Sequence, residues 1–527
     1  MKMSLILRSV AATWVVVIVS ALSGIFLTPF VLHRLGNEGY GLWVLVVTLT
    51  DYYLFLRVGI RSAIVRYVSH GLAVKDRASV NKVLATSFYF YMGMLGLVFS
   101  LSFVLSPFVS RMFSVHDENA RAFAALFLIV GIANGLDFPL NVFEGALEAA
   151  GRFDQIYGIR VLGLILRVLL VILVLEKGGG LFAVGAATVL SALVLRFAAV
   201  PLAYREVEAF SIHPQGIDLK TFKEMLRFGL TSFSVGMGER LNTSLYPLVI
   251  GKLLSPIAVT LYSLPTKMLT IPLNGIGSMT EFVNPLSSRL QAIKDHKGLW
   301  RVIVLSGQGA YLIFAPLAVI MVLFGKQLLT LWVGSSYAST YTLLVLLTFA
   351  LGLDATQYSM QSMLFGIGKH RGLVWVRLGQ GLGAALFGAA LLHPWGLFGY
   401  AIAATAFSVV VNLILLPRTV CSVLEMPLRR YYFRGCLKPC LFSLPLLIAL
   451  IMLMRSFSAV TLKSLLVIMV IGSIVYALTL LLAIWYGNGR RDSWFSLEVL
   501  GIVGEKISFG KPKRSVGVVA SISSELG

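Results

Sequence analysis

The sequence predicts an all-α polytopic membrane protein with about 14 transmembrane helices: two six-helix lobes related by a parallel pseudo-repeat, plus an extra C-terminal helix pair. Three observations carry that prediction. Hydrophobic residues fill 58% of the 527 positions and charged residues only 13%, where a soluble chain has about 45–50% and about 25%. Apolar runs of roughly 20 residues, long enough to cross a hydrocarbon core of about 30 Å as a helix, recur from end to end. Basic residues alternate between crowded and sparse from one connection to the next. This composition excludes a cytosolic enzyme, a secreted disulfide scaffold and a disordered chain.

Spans are expected in the windows 10–32, 40–60, 83–108, 122–143, 156–176, 181–203, 228–250, 256–282, 302–324, 341–363, 372–392, 397–417, 440–455 and 464–486. The first follows Lys2 and Arg8, as the core of a signal peptide does. Its apolar run is longer than such a core, no A-x-A site follows, and a second span comes at once, so it is read as a retained helix. Spans of about 21 residues leave connections averaging about 15, too short for a folded catalytic domain. The tail from 487 to 527 is basic and rich in Ser and Gly, which suits a poorly ordered segment or one lying on the membrane surface.

With the N-terminus in the cytoplasm, inner segments hold 32 of the 44 Lys and Arg residues and outer segments 8. Arg167, Arg196, Arg240 and Lys267 fall inside helices. The inner excess is the positive-inside signal, with both termini cytoplasmic, and it accounts for the net charge of +21 without nucleic acid. Cys421, Cys436 and Cys440 lie on the reducing side and are expected as free thiols. The histidines are scattered singly, so no metal site is expected. No Walker lysine motif points to ATP hydrolysis.

Pro29-Phe-Val-Leu-His-Arg-Leu35 and Pro247-Leu-Val-Ile-Gly-Lys-Leu253 match in pattern at an offset of 218 residues, six spans later. Six is even, so both copies run the same way through the membrane, a parallel repeat. The domains expected are an N-lobe (1–204), a cytoplasmic linker (205–227) centred on His213-Pro214-Gln215-Gly216, a C-lobe (228–418), an appended pair (419–486) and the tail (487–527). Two lobes around a cleft is an alternating-access architecture, which names no substrate. On span 11, Gly379, Gly383, Ala384 and Gly388 form small-x-x-x-small pairs, expected to pack within the bundle. Phe88 to Tyr91 are expected as an interfacial belt.

Three loop sequences carry a family resemblance: Leu35-Gly-Asn-Glu-Gly-Tyr-Gly-Leu-Trp43, Val58-Gly-Ile-Arg-Ser-Ala-Ile-Val-Arg-Tyr67 leading to Ala73, Asp76 and Asn81, and Phe143-Glu-Gly-Ala-Leu-Glu-Ala-Ala-Gly-Arg152. They resemble the polysaccharide-unit (O-antigen/exopolysaccharide) flippases of the multidrug/oligosaccharidyl-lipid/polysaccharide exporter superfamily. The resemblance implies a non-enzymatic transporter of a bacterial inner membrane. Such a protein turns an undecaprenyl-pyrophosphate-linked sugar unit from the cytoplasmic to the outer leaflet. Its implied partners are that lipid-linked oligosaccharide, membrane lipids and polysaccharide-assembly enzymes. No cofactor is implied beyond H+ or Na+ coupling.

A charge at bilayer depth costs at least about 2.5–3.5 kcal/mol and needs a partner or a wet cavity. Arg167 lies mid-span 5, with Arg160 two turns earlier on the same face. Arg240 lies midway along span 7. Lys267 lies in span 8 between Pro265 and Pro272, which free backbone carbonyls. Arg57 lies at the inner end of span 2. Together these bases would make a cationic cavity for pyrophosphate, with Arg as forks and Lys as a point charge. The alternative is internal ion pairing with Asp51, Asp137, Glu239 and Asp354. Arg196 is expected to snorkel to the inner surface.

Span 7 carries a polar stripe of Ser232, Gly236, Glu239, Thr243 and Tyr246, with Asn242 beside it, and span 10 a shorter one of Asp354, Gln357 and Gln361. Asn242 and Gln357 are candidates for sugar hydrogen bonds. Glu239 and Asp354, then Asp51 and Asp137, are candidates for ion coupling. Packing between helices is the plain alternative. A multidrug cation antiporter of the same superfamily and a peptidoglycan-precursor flippase are the rival functions, and a membrane polysaccharide polymerase or ligase a remote one. A cation carrier should line its cavity with acids and aromatics, whereas this sequence offers at least as many bases.

Overall fold

Long apolar runs form the helices of this chain, and a few glycines decide where two of them turn back. The computed structural model describes residues 3–57, 59–115, 117–207, 210–280, 282–369, 371–456 and 462–487, with the side chains of 3–14, 117–118, 230–243, 371, 456, 462 and 483–487 outside the description. The first helix, α1 (Met3–Asp51), is bent at Gly36, whose φ of 71° is left-handed, so that its two arms occupy the first two windows. A 3₁₀ turn (Tyr52–Arg57) leads to α2 (Ile60–Ala73). Then come α3 (Arg77–Met112), α4 (Asp117–Ala149), α5 (Phe153–Glu176) and α6 (Leu181–Glu206).

The second half begins at Asp218, which caps α7 (Leu219–Leu253) by accepting from the Thr221 amide at 2.8 Å. That bond and the Thr221 hydroxyl hold the Asp218 carboxyl below its ordinary range. It continues as α8 (Pro256–Thr280), α9 (Val283–Ala292), α10 (His296–Val333), α11 (Tyr341–Thr356) and α12 (Tyr358–Gly366). Next is α13 (Arg371–Val409), bent at Gly396, followed by a π-helical turn (Val410–Leu415) and α14 (Leu416–Val423). Two short turns, α15 (Leu428–Tyr431) and α16 (Lys438–Leu441), precede α17 (Leu444–Ser456) and α18 (Leu462–Gly487).

Among the described residues, ten helical stretches are long and apolar enough to cross a membrane. Two of them, of 43 and 52 residues, contain the bends at Gly36 and Gly396 and each hold two predicted windows. The windows at 228–250 and 256–282 are occupied by α7 and α8. Every predicted window therefore falls on helix, and the protein is a multi-pass membrane protein. Its outward faces are apolar: Phe103 is 65% exposed and Leu386 70%.

The repeat is written in turns as well as in the heptapeptides. Lys75 (φ 58°) and Lys294 (φ 55°) both break a helix in the left-handed region, 219 residues apart. In each case the next residue, Asp76 or Asp295, returns its amide at 2.9 Å to a carbonyl five residues back and caps the following helix. Gly151 and Gly368 close α4 and α12 in the same way, and Gly178 and Gly396 turn the next pair 218 residues apart. Matching turns at matching intervals are what a parallel duplication produces.

Within the first half, α4 packs on α3 and α6, and α5 on α6 and α1; in the second, α13 packs on α7 and α11, and α10 on α11. The halves meet along α1 and α8 and along α2 and α7. At the Gly36 bend, Thr260 donates to the Asn37 carbonyl at 2.6 Å and the Tyr337 hydroxyl donates to the Asn37 side chain. Gly41 lets α1 touch the start of α8, because a Cβ there would lie 1.9 Å from the Pro256 carbonyl oxygen. On α13, Gly383 and Gly388 seat Phe407 and Tyr400 of the returning arm, so these two glycines pack within the bundle, while Gly379 faces open space. The aromatics expected as an interfacial belt instead fill a seam: Tyr91 is fully buried against Phe138, and Phe90 packs on Phe222 of α7.

The chain divides into two compact units, Met1–Cys436 and Leu437–Gly527. In the second, Gly472 of α18 lies against Leu446 and Leu450 of α17. Replacing Gly41 by Ala should destabilise the purified protein by about 1–3 kcal/mol through overpacking against Pro256. Gly36→Ala should cost about 1–2 kcal/mol through the left-handed backbone alone. Thermal melts in detergent would show both losses, and an unchanged Gly41→Ala midpoint would contradict the close approach.

Candidate functional site

A polar cavity of about 260 Å³ opens among α1, α5, α6 and α8. Helical periodicity builds its walls: Leu164, Arg167 and Val171 share one face of α5, and Lys267, Thr270 and Ile271 one face of α8. Ser20, Ser23 and Thr28 of α1 and Thr188 of α6 add hydroxyls, and Tyr40 and Trp43 add aromatic wall from beyond the Gly36 bend. Among the described residues, no Asp or Glu lines it.

The two bases in this cavity are held differently. Lys267 donates from Nζ to the Tyr40 hydroxyl at 2.7 Å, and its ammonium lies 5.0 Å from the centre of that ring. Pro265 and Pro272 flank it, and α8 runs helically through both. Arg167 has its Nε buried with no hydrogen-bond partner among the described residues. A buried guanidinium edge without a partner is costly unless something else fills the space. The arrangement suits an anion with several acceptor oxygens.

The structure places Arg167 and Lys267 in the same cavity, while Arg57, Asp51, Asp137, Asp354 and Gln357 are not among the residues that line it. Arg57 pairs with Asp137 and lies 5.7 Å from the Phe138 ring, and neither residue is among those that line the cavity. Asp137 also meets Arg196 at 2.6 Å, and Arg196 reaches on to Glu144. Arg196 therefore does not extend to the surface as expected, because two carboxylates of α4 hold it. Asp51 ends α1, half-buried. The side chains of Glu239, Arg240 and Asn242 lie outside the described residues.

Gln357 does not reach the cavity. It is fully buried at the break between α11 and α12, donating to the Tyr311 hydroxyl and accepting from the Tyr431 hydroxyl, both at 3.3 Å. Asp354, one turn earlier, accepts from Arg377 at 2.8 Å, from Gln380 at 2.9 Å and from Asn412. The π-helical turn brings Asn412 into that cluster. Arg377 is only 4% exposed, although its place near the start of α13 reads in sequence as part of an inner loop. Gln380 one turn later, in an otherwise apolar helix, is the signal that marks it.

Glu144, Glu148 and Arg61 also escape a reading that looks only for charges at mid-span. Arg61 bridges Glu144 at 2.9 Å and Glu148 at 3.1 Å and donates to Asn141 at 2.8 Å. Their signal is the spacing Asp137, Asn141, Glu144, Glu148, which puts four polar residues on one face of α4.

A family model described as "Polysaccharide biosynthesis protein" matches residues 31–342. The chain belongs to this family. It is 22% identical over 337 residues to the uncharacterized membrane protein EpsK of Bacillus subtilis (strain 168), covering 62% of this chain and 65% of that one. The match thus spans just under two thirds of the relative. Among solved structures, the lipid II flippase MurJ in an inward closed conformation superposes with a TM-score of 0.69 at 14% identity, over 90% of this chain and 98% of that chain. An inward-facing multidrug resistance MATE family transporter of the MOP superfamily gives 0.67 at 16% identity, over 77% and 94%. These likenesses establish the fold. Both solved proteins are named as carriers, neither as an enzyme.

The Asp354–Arg377 pair yields a prediction about stability. Asp354→Asn or Arg377→Gln alone strands the partner and should destabilise the protein by about 3–5 kcal/mol. The double variant should recover much of that loss, as measured by thermal melts of each purified variant. Additive losses would refute the pairing.

Proposed function

We propose that the protein flips an undecaprenyl-pyrophosphate-linked oligosaccharide unit from the cytoplasmic to the outer leaflet of a bacterial inner membrane, with both termini cytoplasmic. The lobes 1–204 and 228–418 alternate access, joined by the linker 205–227. The observation that carries this reading is the cavity whose lining, among the described residues, holds Arg167 and Lys267 and no carboxylate. Such a lining attracts phosphates and repels the lipophilic cations of a multidrug antiporter. Hydroxyls and the Tyr40 and Trp43 rings beside the bases suit a sugar attached to those phosphates. At about 260 Å³ the space is smaller than the usual ligand pocket of about 300–1,000 Å³. In this conformation it suits a head group, with the polyprenyl chain left in the bilayer.

Membership of a polysaccharide biosynthesis family favours a polysaccharide unit over a peptidoglycan precursor, which has the same lipid pyrophosphate chemistry. Of the carboxylate candidates for ion coupling, Asp137 and Asp354 already hold guanidinium partners. A membrane potential negative inside favours outward movement of an anion by about 2.3 kcal/mol per charge per 100 mV, and it supplies the driving term here.

The test uses proteoliposomes loaded with polyprenyl-pyrophosphate oligosaccharide. Neutralising both bases (Arg167→Gln with Lys267→Gln) should weaken cargo binding by at least about 100-fold, since each removes a charge-assisted contact of about 1.5–3 kcal/mol. Flipping should fall with it. Undiminished flipping by the double variant would sink the assignment, and preferential binding of lipophilic cations would put an antiporter in its place.

A further inference from the structure

At the opposite end of α5 from the cavity lies a second concentration of guanidinium groups that the cargo cavity does not use. Arg57 and Arg61 come from the turn before α2 and from α2, Arg160 from α5 and Arg196 from α6. They meet Asp137, Glu144 and Glu148 of α4. A lattice of ion pairs that served stability alone would balance its charges, yet among the described residues four guanidiniums face three carboxylates.

The layering is uneven too. Asp137 and Glu144 form a buried floor, with side chains 12% and 6% exposed, while the four arginines above them are 25–43% exposed. Arg61 and Arg196 each span two carboxylates. Arg57 holds only Asp137 and buries an Nε with no partner among the described residues. Arg160 reaches Glu144 only at 3.5 Å. Asn141 and Tyr91 complete the polar surroundings, from α4 and α3.

Carboxylates beneath a layer of arginines hold the forks in one orientation, so that less rotamer freedom is lost when an anion binds above them. We propose that the Arg57–Arg61–Arg160–Arg196 face is a second anion station, which takes the phosphates of the lipid-linked cargo at the other end of the path from Arg167 and Lys267. This rests on the flippase reading. Helix α5 joins the stations: Arg160 and Arg167 lie seven residues apart on one face, about 10 Å along the axis. A pyrophosphate can pass between them without leaving the field of one guanidinium before meeting the next.

The test is native mass spectrometry of the purified full-length protein with farnesyl pyrophosphate and, separately, inorganic pyrophosphate. Two anions should bind per chain. Arg160→Gln, at the most exposed member of the cluster with one long contact, should fold normally and weaken one of the two about tenfold. Arg160→Lys, which keeps the charge and loses the fork, should fall between. Arg167→Gln with Lys267→Gln should weaken the other anion and spare the first. Tighter retention of the farnesyl ester would identify the lipid-borne phosphate as the source, and equal retention would show that the station reads phosphates alone. One bound anion, lost on neutralising Arg167 and Lys267 and indifferent to Arg160→Gln, would overturn the second station while leaving the cavity intact. No bound anion at all would overturn both.

Discussion

The constraint on which this structure depends is the cost of charge in a hydrocarbon layer. Each buried ionisable group must find a partner or a polar cavity, and each group met here is placed by that requirement. Asp354 is held by Arg377, Gln380 and Asn412, which ties α11 to both the first arm of α13 and the π-helical turn beyond its second. Asp137 and Glu144 tie α4 to α2 and α6 through Arg57, Arg61 and Arg196. Where no carboxylate is found among the described residues, as around Arg167 and Lys267, a cavity takes its place. Stability and function thus draw on the same chemistry, and the local balance of charge separates them.

Backbone conformation sets the frame in which those charges meet. The left-handed residues at equivalent positions of the halves, Lys75 with Lys294 and Gly178 with Gly396, terminate helices at matching points. Gly36 brings Tyr40 back over Lys267, and Gly41 permits the contact with α8 that keeps the two together. The loop residues that carry the family resemblance therefore act as geometry: they aim one half's aromatic ring at the other half's base.

The solved carriers that superpose on this chain are 14–16% identical to it, and a likeness at that level shows the fold alone. A cavity whose described lining holds two bases and no acid has a positive field, which draws anions and repels cations.

Sequence by itself determined the membrane class, the windows of the helices and their parallel repeat, and it marked Arg167 and Lys267 as charges at bilayer depth. Those properties follow from hydropathy, spacing and the cost of a lone charge, which act locally along the chain. Tertiary structure alone decided which charges are spent on one another. Nothing in the order of residues says that Arg196 turns to α4 rather than to the surface, that Arg377 is buried against Asp354, or that Gln357 ends between Tyr311 and Tyr431. Each depends on the rotation of one helix against another. That angle is set by packing over whole helix faces, and a change of one residue's rotation, about 100°, redirects a side chain from cavity to lipid.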